Sequence, residues 1–96
     1  MVEFFDGNDE TYREWLAANP LGYVINARRS LAPAYMVLHK ANCRAIRRYS
    51  PTAPDGAFTE RGYVKICATD ILELSNWVKK HGRLDGSFSK SCSRCN

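Results

Sequence analysis

Two close-spaced pairs of soft metal ligands constrain this chain more than any other feature. His39 and Cys43 stand as H-x3-C in "LHKANC", and Cys92 and Cys95 stand as C-x2-C in "CSRC". Each spacing lets one short piece of chain present both ligand atoms to a single ion. Zinc takes thiolate sulfur and imidazole nitrogen in a tetrahedron, so the two pairs predict one structural Cys3His zinc site. A fold that satisfies them must carry residues 92–95 back to residues 39–43, across 48 intervening residues.

The setting favours metal over disulfides. The opening "MVEFFDGNDE" is acidic and lacks the basic and apolar regions of a secretory signal. No apolar run approaches the ~18 residues that cross a bilayer. A cytoplasmic, reducing location is therefore expected, where four cysteines serve as metal ligands rather than as two disulfides. Cys67, mid-strand in "VKICA", reads as a small buried hydrophobe. Cys67 and His81 are the alternatives for the histidine's place. The competing reading makes His39 a surface strand residue and the terminal cysteines a redox pair.

Ninety-six residues make a single domain with a modest core, so a stabilising metal is in keeping with the size. Asn8 or Asp9 can cap a helix reaching about Ala18, with Tyr12, Trp15 and Leu16 as its apolar stripe. The stretches "GYVIN", "YMVLHK" and "GYVKICA" predict three strands, the first two antiparallel, and a further edge strand can form at Val2–Phe5. A short helix is expected to begin near Cys43. A second long helix is expected after Thr69 as N-cap, with Ile71, Leu74, Trp77 and Val78 inward and Gly82 at its C-terminal end. The stretch "RLDGSFSKSCSRCN" reads as a loop ending in a cysteine knuckle. The expected fold is α+β: a small antiparallel sheet of about three strands, two flanking helices and a C-terminal zinc knuckle. Its core should include Trp15, Leu16, Val24, Val37, Val64, Ile66, Leu74, Trp77 and Val78.

The unit "YMVLHKANCRAI", completed downstream by "CSRC", resembles a small bacterial zinc-binding pattern. It is similar to the N-terminal metal-binding module of the Ada DNA-repair protein and to modules attached to bacterial nucleases. The resemblance covers about the last 60 residues and implies metal ligation by His39, Cys43, Cys92 and Cys95. The spacer here is longer, holds an extra helix with Trp77, and has His39 where that module has a cysteine. The first 30 residues look like those of small uncharacterised bacterial proteins.

Arg44, Arg47 and Arg48 share one face if their segment is helical, and Tyr49 adds a ring. Arg28 and Arg29 lie on a turn that can sit nearby. With a formal charge of +4, such a face suits nucleic acid, since arginines meet phosphates and rings stack on bases. A protein partner is the alternative, and no membrane partner is expected. Catalysis is not expected of a zinc with four protein ligands, which has no position for water. A site short of one ligand would restore that option and admit a small zinc enzyme or nuclease component. The chain contains no P-loop, G-x-S-x-G or H-E-x-x-H motif.

Overall fold

The computed structural model describes residues 1–43, 46, 59 and 62–92. Its elements run β1 (Glu3–Phe5), α1 (Asp9–Ala18), β2 (Tyr23–Arg28), β3 (Met36–Lys40), β4 (Tyr63–Ala68), α2 (Ile71–Lys80) and β5 (Lys90–Ser91). The expected class is found, but the sheet has five strands and is mixed, in the order β1-β4-β2-β3-β5. The antiparallel expectation of about three strands therefore undercounts it. The edge strand β1 pairs antiparallel with β4, and β5 pairs parallel with β3. The residues of β5, Lys90 and Ser91, carry no apolar alternation. Backbone bonding to β3 makes them a strand, not side-chain pattern.

Central β2 divides the protein into two cores. Its alternate side chains point to opposite faces. Ile25 and Ala27 pack with Met36, Val64, Ile66 and Ala68 beneath Leu74 and Val78 of α2. Val24 packs with Cys67, Ala41, Cys43 and Ile46 beneath Tyr12 and Leu16 of α1. Of the expected core, Leu16, Val24, Val64, Ile66, Leu74 and Val78 are buried, whereas Trp15, Val37 and Trp77 are half-buried.

Both helices start on side-chain caps. Asn8 caps α1, its Oδ1 accepting the Thr11 N–H at 3.1 Å. Asp70, rather than Thr69, caps α2, its Oδ1 accepting the Leu72 N–H at 2.9 Å. Past the C-cap of α2, which is His81, Gly82 adopts φ +111°, a left-handed conformation that favours glycine. At the start of β2, Gly22 lies so close to α1 that a Cβ there would sit 2.8 Å from the Trp15 ring.

Strands β3 and β4 are both antiparallel to β2 and lie on either side of it. They point the same way, so the chain between them must return along one face of the sheet. Its described residues Ala41, Cys43 and Ile46 pack on the α1 side, and the Ile46 carbonyl accepts the Tyr12 hydroxyl at 2.9 Å. Ile46 is helical, but the rest of the helix expected near Cys43 lies outside the described residues.

Farther along the same connection, Thr59 is fully buried and tied to the start of α1. The Asp9 carboxylate accepts the Thr59 N–H at 2.6 Å and its hydroxyl at 2.7 Å, while the Thr59 Oγ1 accepts the Asn8 N–H at 2.8 Å. Thr59→Val keeps the shape but strips the hydroxyl from this network. It should lower unfolding stability by ~1–3 kcal/mol, seen in urea titration as a lower midpoint at unchanged slope.

Candidate metal centre

His39 occupies the penultimate position of β3 and stands opposite Val24 of β2. Strand alternation therefore puts its side chain on the α1 face, where Cys43 is also packed. A tight turn brings Cys43 back toward the strand it has just left: its N–H donates to the Lys40 carbonyl at 2.9 Å. The Ala41 N–H donates to the Gly22 carbonyl at 2.9 Å, which fixes the start of the turn.

Cys92 arrives from the opposite direction along the chain. The Met36 N–H donates to the Ser89 hydroxyl at 2.8 Å, and the Ser89 N–H donates to the Met36 carbonyl at 3.0 Å. Lys90 and Ser91 then run beside Val37 and Leu38, and the Cys92 N–H donates to the Leu38 carbonyl at 2.9 Å. Strand pairing at the edge of β3 thus delivers this thiol to His39.

The result is a compact triad. The ligand atoms of His39, Cys43 and Cys92 all lie within 4.8 Å of one another, close enough to hold a metal ion. The two sulfurs are 3.9 Å apart. Two thiolates on a tetrahedral zinc at ~2.3 Å would stand ~3.8 Å apart. The donor set and its spacing therefore fit zinc. Cys95, the fourth residue of the expected site, lies outside the described residues, as does the knuckle drawn around it.

Electrostatics keep His39 in its ligating form. It is 7% exposed, and burial, aided by the positive charge of Lys65, lowers its pKa from 6.5 to about 4. The imidazole is neutral at pH 7 with a nitrogen lone pair available. Lys65 itself is buried on the same face, its Nζ donating to the Asn26 Oδ1 at 2.8 Å and lying 5.8 Å from the Tyr12 ring centre. Burial lowers the Lys65 pKa to about 8, against the opposing pull of Asp9 and Cys67. Sequence reasoning missed this lysine, although a charge inside the apolar run "YVKIC" was its signal.

Neither alternative ligand joins the group. Cys67 is fully buried on β4, on the other side of Val24 from His39, and burial pushes its thiol pKa up. His81 ends α2, its ring stacked 3.9 Å from that of Trp77 and its Nδ1 2.7 Å from the Trp77 carbonyl oxygen. Of the expected basic residues, Arg28 is exposed and lies over the rings of Tyr35 and Tyr63, at 5.0 and 5.6 Å. Arg29 is also exposed but engaged, pairing with Asp6 at 3.0 Å and donating to the Thr59 carbonyl at 3.1 Å. Arg44, Arg47, Arg48 and Tyr49 lie outside the described residues.

No protein-family model, curated protein or solved structure matches the chain. Among the described residues, no helix is long and apolar enough to cross a membrane.

The lowered His39 pKa has a definite consequence for the metal-free protein. The unfolded histidine takes up its proton near pH 6.5, and the folded one only near pH 4. The unfolded state therefore binds more protons between those values, and stability falls as pH drops through that window. Urea midpoints measured with chelator present should decline from pH 7 to pH 4. His39→Gln should flatten that decline.

Proposed function

We propose that this chain is a structural-zinc module in which His39, Cys43, Cys92 and Cys95 hold one Zn2+. One observation carries the reading: a close-spaced imidazole and thiol, His39 and Cys43, meet the sequence-distant Cys92 thiol with all three ligand atoms within 4.8 Å, close enough to hold a metal ion. The resemblance to Ada-type metal modules points the same way. A bound ion would clamp the segment after β5 onto β3 and the turn that follows it. Three thiolates around Zn2+ carry a net negative charge, and Lys40, Lys90, Arg44 and Arg94 lie close in sequence to offset it.

Elemental analysis of purified protein should give about one zinc per chain. A chelator should lower the melting temperature. Cys95→Ser should cost both metal and stability, whereas Cys67→Ser should leave the metal in place. Equal loss from both variants would reassign the ligand set. A metal-bound water in Cys95's place, seen by X-ray absorption or crystallography, would turn the site into an open, catalysis-competent zinc.

We further propose that the module contacts nucleic acid through a basic face comprising Arg28, Arg29, Arg44, Arg47, Arg48 and Tyr49. The support is the net charge of +4 and the exposure of Arg28, whose guanidinium lies over the rings of Tyr35 and Tyr63. A protein partner is the competing reading. Anisotropy titrations at two salt concentrations separate them. Replacing Arg44, Arg47 and Arg48 by alanine should weaken binding to DNA or RNA. It should also reduce the log–log salt slope by roughly 0.7–0.9 for each phosphate that is no longer neutralised. Absence of binding at low salt to either nucleic acid would favour the protein partner.

A further inference from the structure

We propose that Cys43 and Cys92 form a site of reversible oxidative modification, at which a hydroperoxide converts the two thiolates to a disulfide and expels the zinc. The metal half of this inference rests on the zinc reading above; the pairing of the sulfurs does not.

Geometry selects the pair. The two Sγ atoms are 3.9 Å apart, and both residues are hydrogen-bonded to the same end of β3, Cys43 to Lys40 and Cys92 to Leu38. A disulfide needs ~2.05 Å, leaving a gap of ~1.9 Å, of the size that rotation of one thiol about χ1 sweeps. Exposure sets the order of events. Cys92 is half-buried and lines a surface cavity of about 250 Å³ together with Tyr23, Leu38, His39, Lys40, Ile71 and Ser91. Cys43 is 2% exposed. A small peroxide therefore meets Cys92 first.

The Cys92 thiolate attacks one peroxide oxygen and the O–O bond breaks. The departing hydroxide takes a proton and leaves as water, and Cys92 becomes a sulfenic acid. The Cys43 thiolate then attacks that sulfur. The S–O bond breaks, and the second hydroxide is protonated to water. Two thiolates, one hydrogen peroxide and two protons thus give one disulfide and two waters. The sulfurs lose two electrons and the peroxide gains them. The ion keeps at most His39 and Cys95 and departs as Zn2+. Cys67 does not compete, being fully buried and lying outside the triad. In the oxidised chain a covalent bond takes over the metal's clamp, so the segment stays on β3 without zinc. A dithiol reverses the reaction by thiol–disulfide exchange.

The alternative product is a Cys92–Cys95 disulfide from the C-x2-C pair, and trypsin separates the two outcomes. Cleavage after Lys40, Arg44, Lys90 and Arg94 places Cys43 in residues 41–44, Cys92 in 91–94 and Cys95 in 95–96. The full zinc-loaded chain is treated with one equivalent of hydrogen peroxide. Released zinc is read with a chromogenic chelator, and the peptides are mapped by mass spectrometry without reduction. The expected product joins 41–44 to 91–94, with about one zinc released per chain, and dithiothreitol restores both peptides and metal binding. Cys95→Ser should give the same linkage, and Cys43→Ser should leave a sulfenic acid on Cys92 that dimedone traps. A linkage of 91–94 to 95–96, or a sulfinic acid on Cys92 with Cys43 unmodified, overturns the proposal. The two readings fail separately. A chain without zinc that still forms the Cys43–Cys92 link sinks only the metal. A zinc-loaded chain that never forms it sinks only the switch.

Discussion

The path between β3 and β4 governs this molecule. Both strands flank β2 and point the same way, so the chain must leave the end of β3 and travel back over the sheet. Its described residues Ala41, Cys43 and Ile46 lie on the α1 face, and its first turn places Cys43 beside the strand-end His39. A plain hairpin from β3 would have put an adjacent antiparallel strand where β5 now lies. The crossover leaves that edge of β3 vacant, and the edge then receives Lys90 and Ser91 and, with them, Cys92. The triad is thus a product of topology. One ligand ends a strand, one opens the crossover, and one rides in on the strand that fills the edge.

Much of this was legible in the residues. Asn8 announced α1, and the β-branched and aromatic runs around Val24, Val37 and Val64 announced three of the strands. The pairing of His39 with Cys43 followed from their spacing, and their convergence with Cys92 followed from zinc's demand for further ligands. What was hidden depended on partners far away in sequence. β5 consists of a lysine and a serine, and only the free edge of β3 makes a strand of them. Asp70 displaced Thr69 as cap because the helix begins one residue later than propensity suggested, a common margin at helix ends. Arg29 looked like a free cation until the fold brought Asp6 and Thr59 to it.

The buried polar groups on the α1 face follow a similar logic. Lys65, Asn26 and His39 sit on neighbouring strands of a surface that α1 covers with Tyr12 and Leu16. A buried ammonium is costly unless its donors are satisfied, and here Asn26 accepts one of them. Its charge in turn disfavours a proton on His39. A residue that burdens the core therefore favours the lone pair that metal ligation requires.

The sheet's borders carry one more consequence. β1 has three residues and β5 two, and such short flanking strands leave little template on which another chain can pair. On the β3 side that protection rests on the hydrogen bonds of Ser89 and Cys92 to Met36 and Leu38 and on the pairing of β5 between them. Behind β5 lies an extended backbone with the half-buried side chains of Val37 and Leu38. If those bonds are lost, the N–H and C=O groups of β3 open to solvent as a ladder without a rung. What that pairing then governs is solitude. Its failure would show in copies of the chain adhering edge to edge.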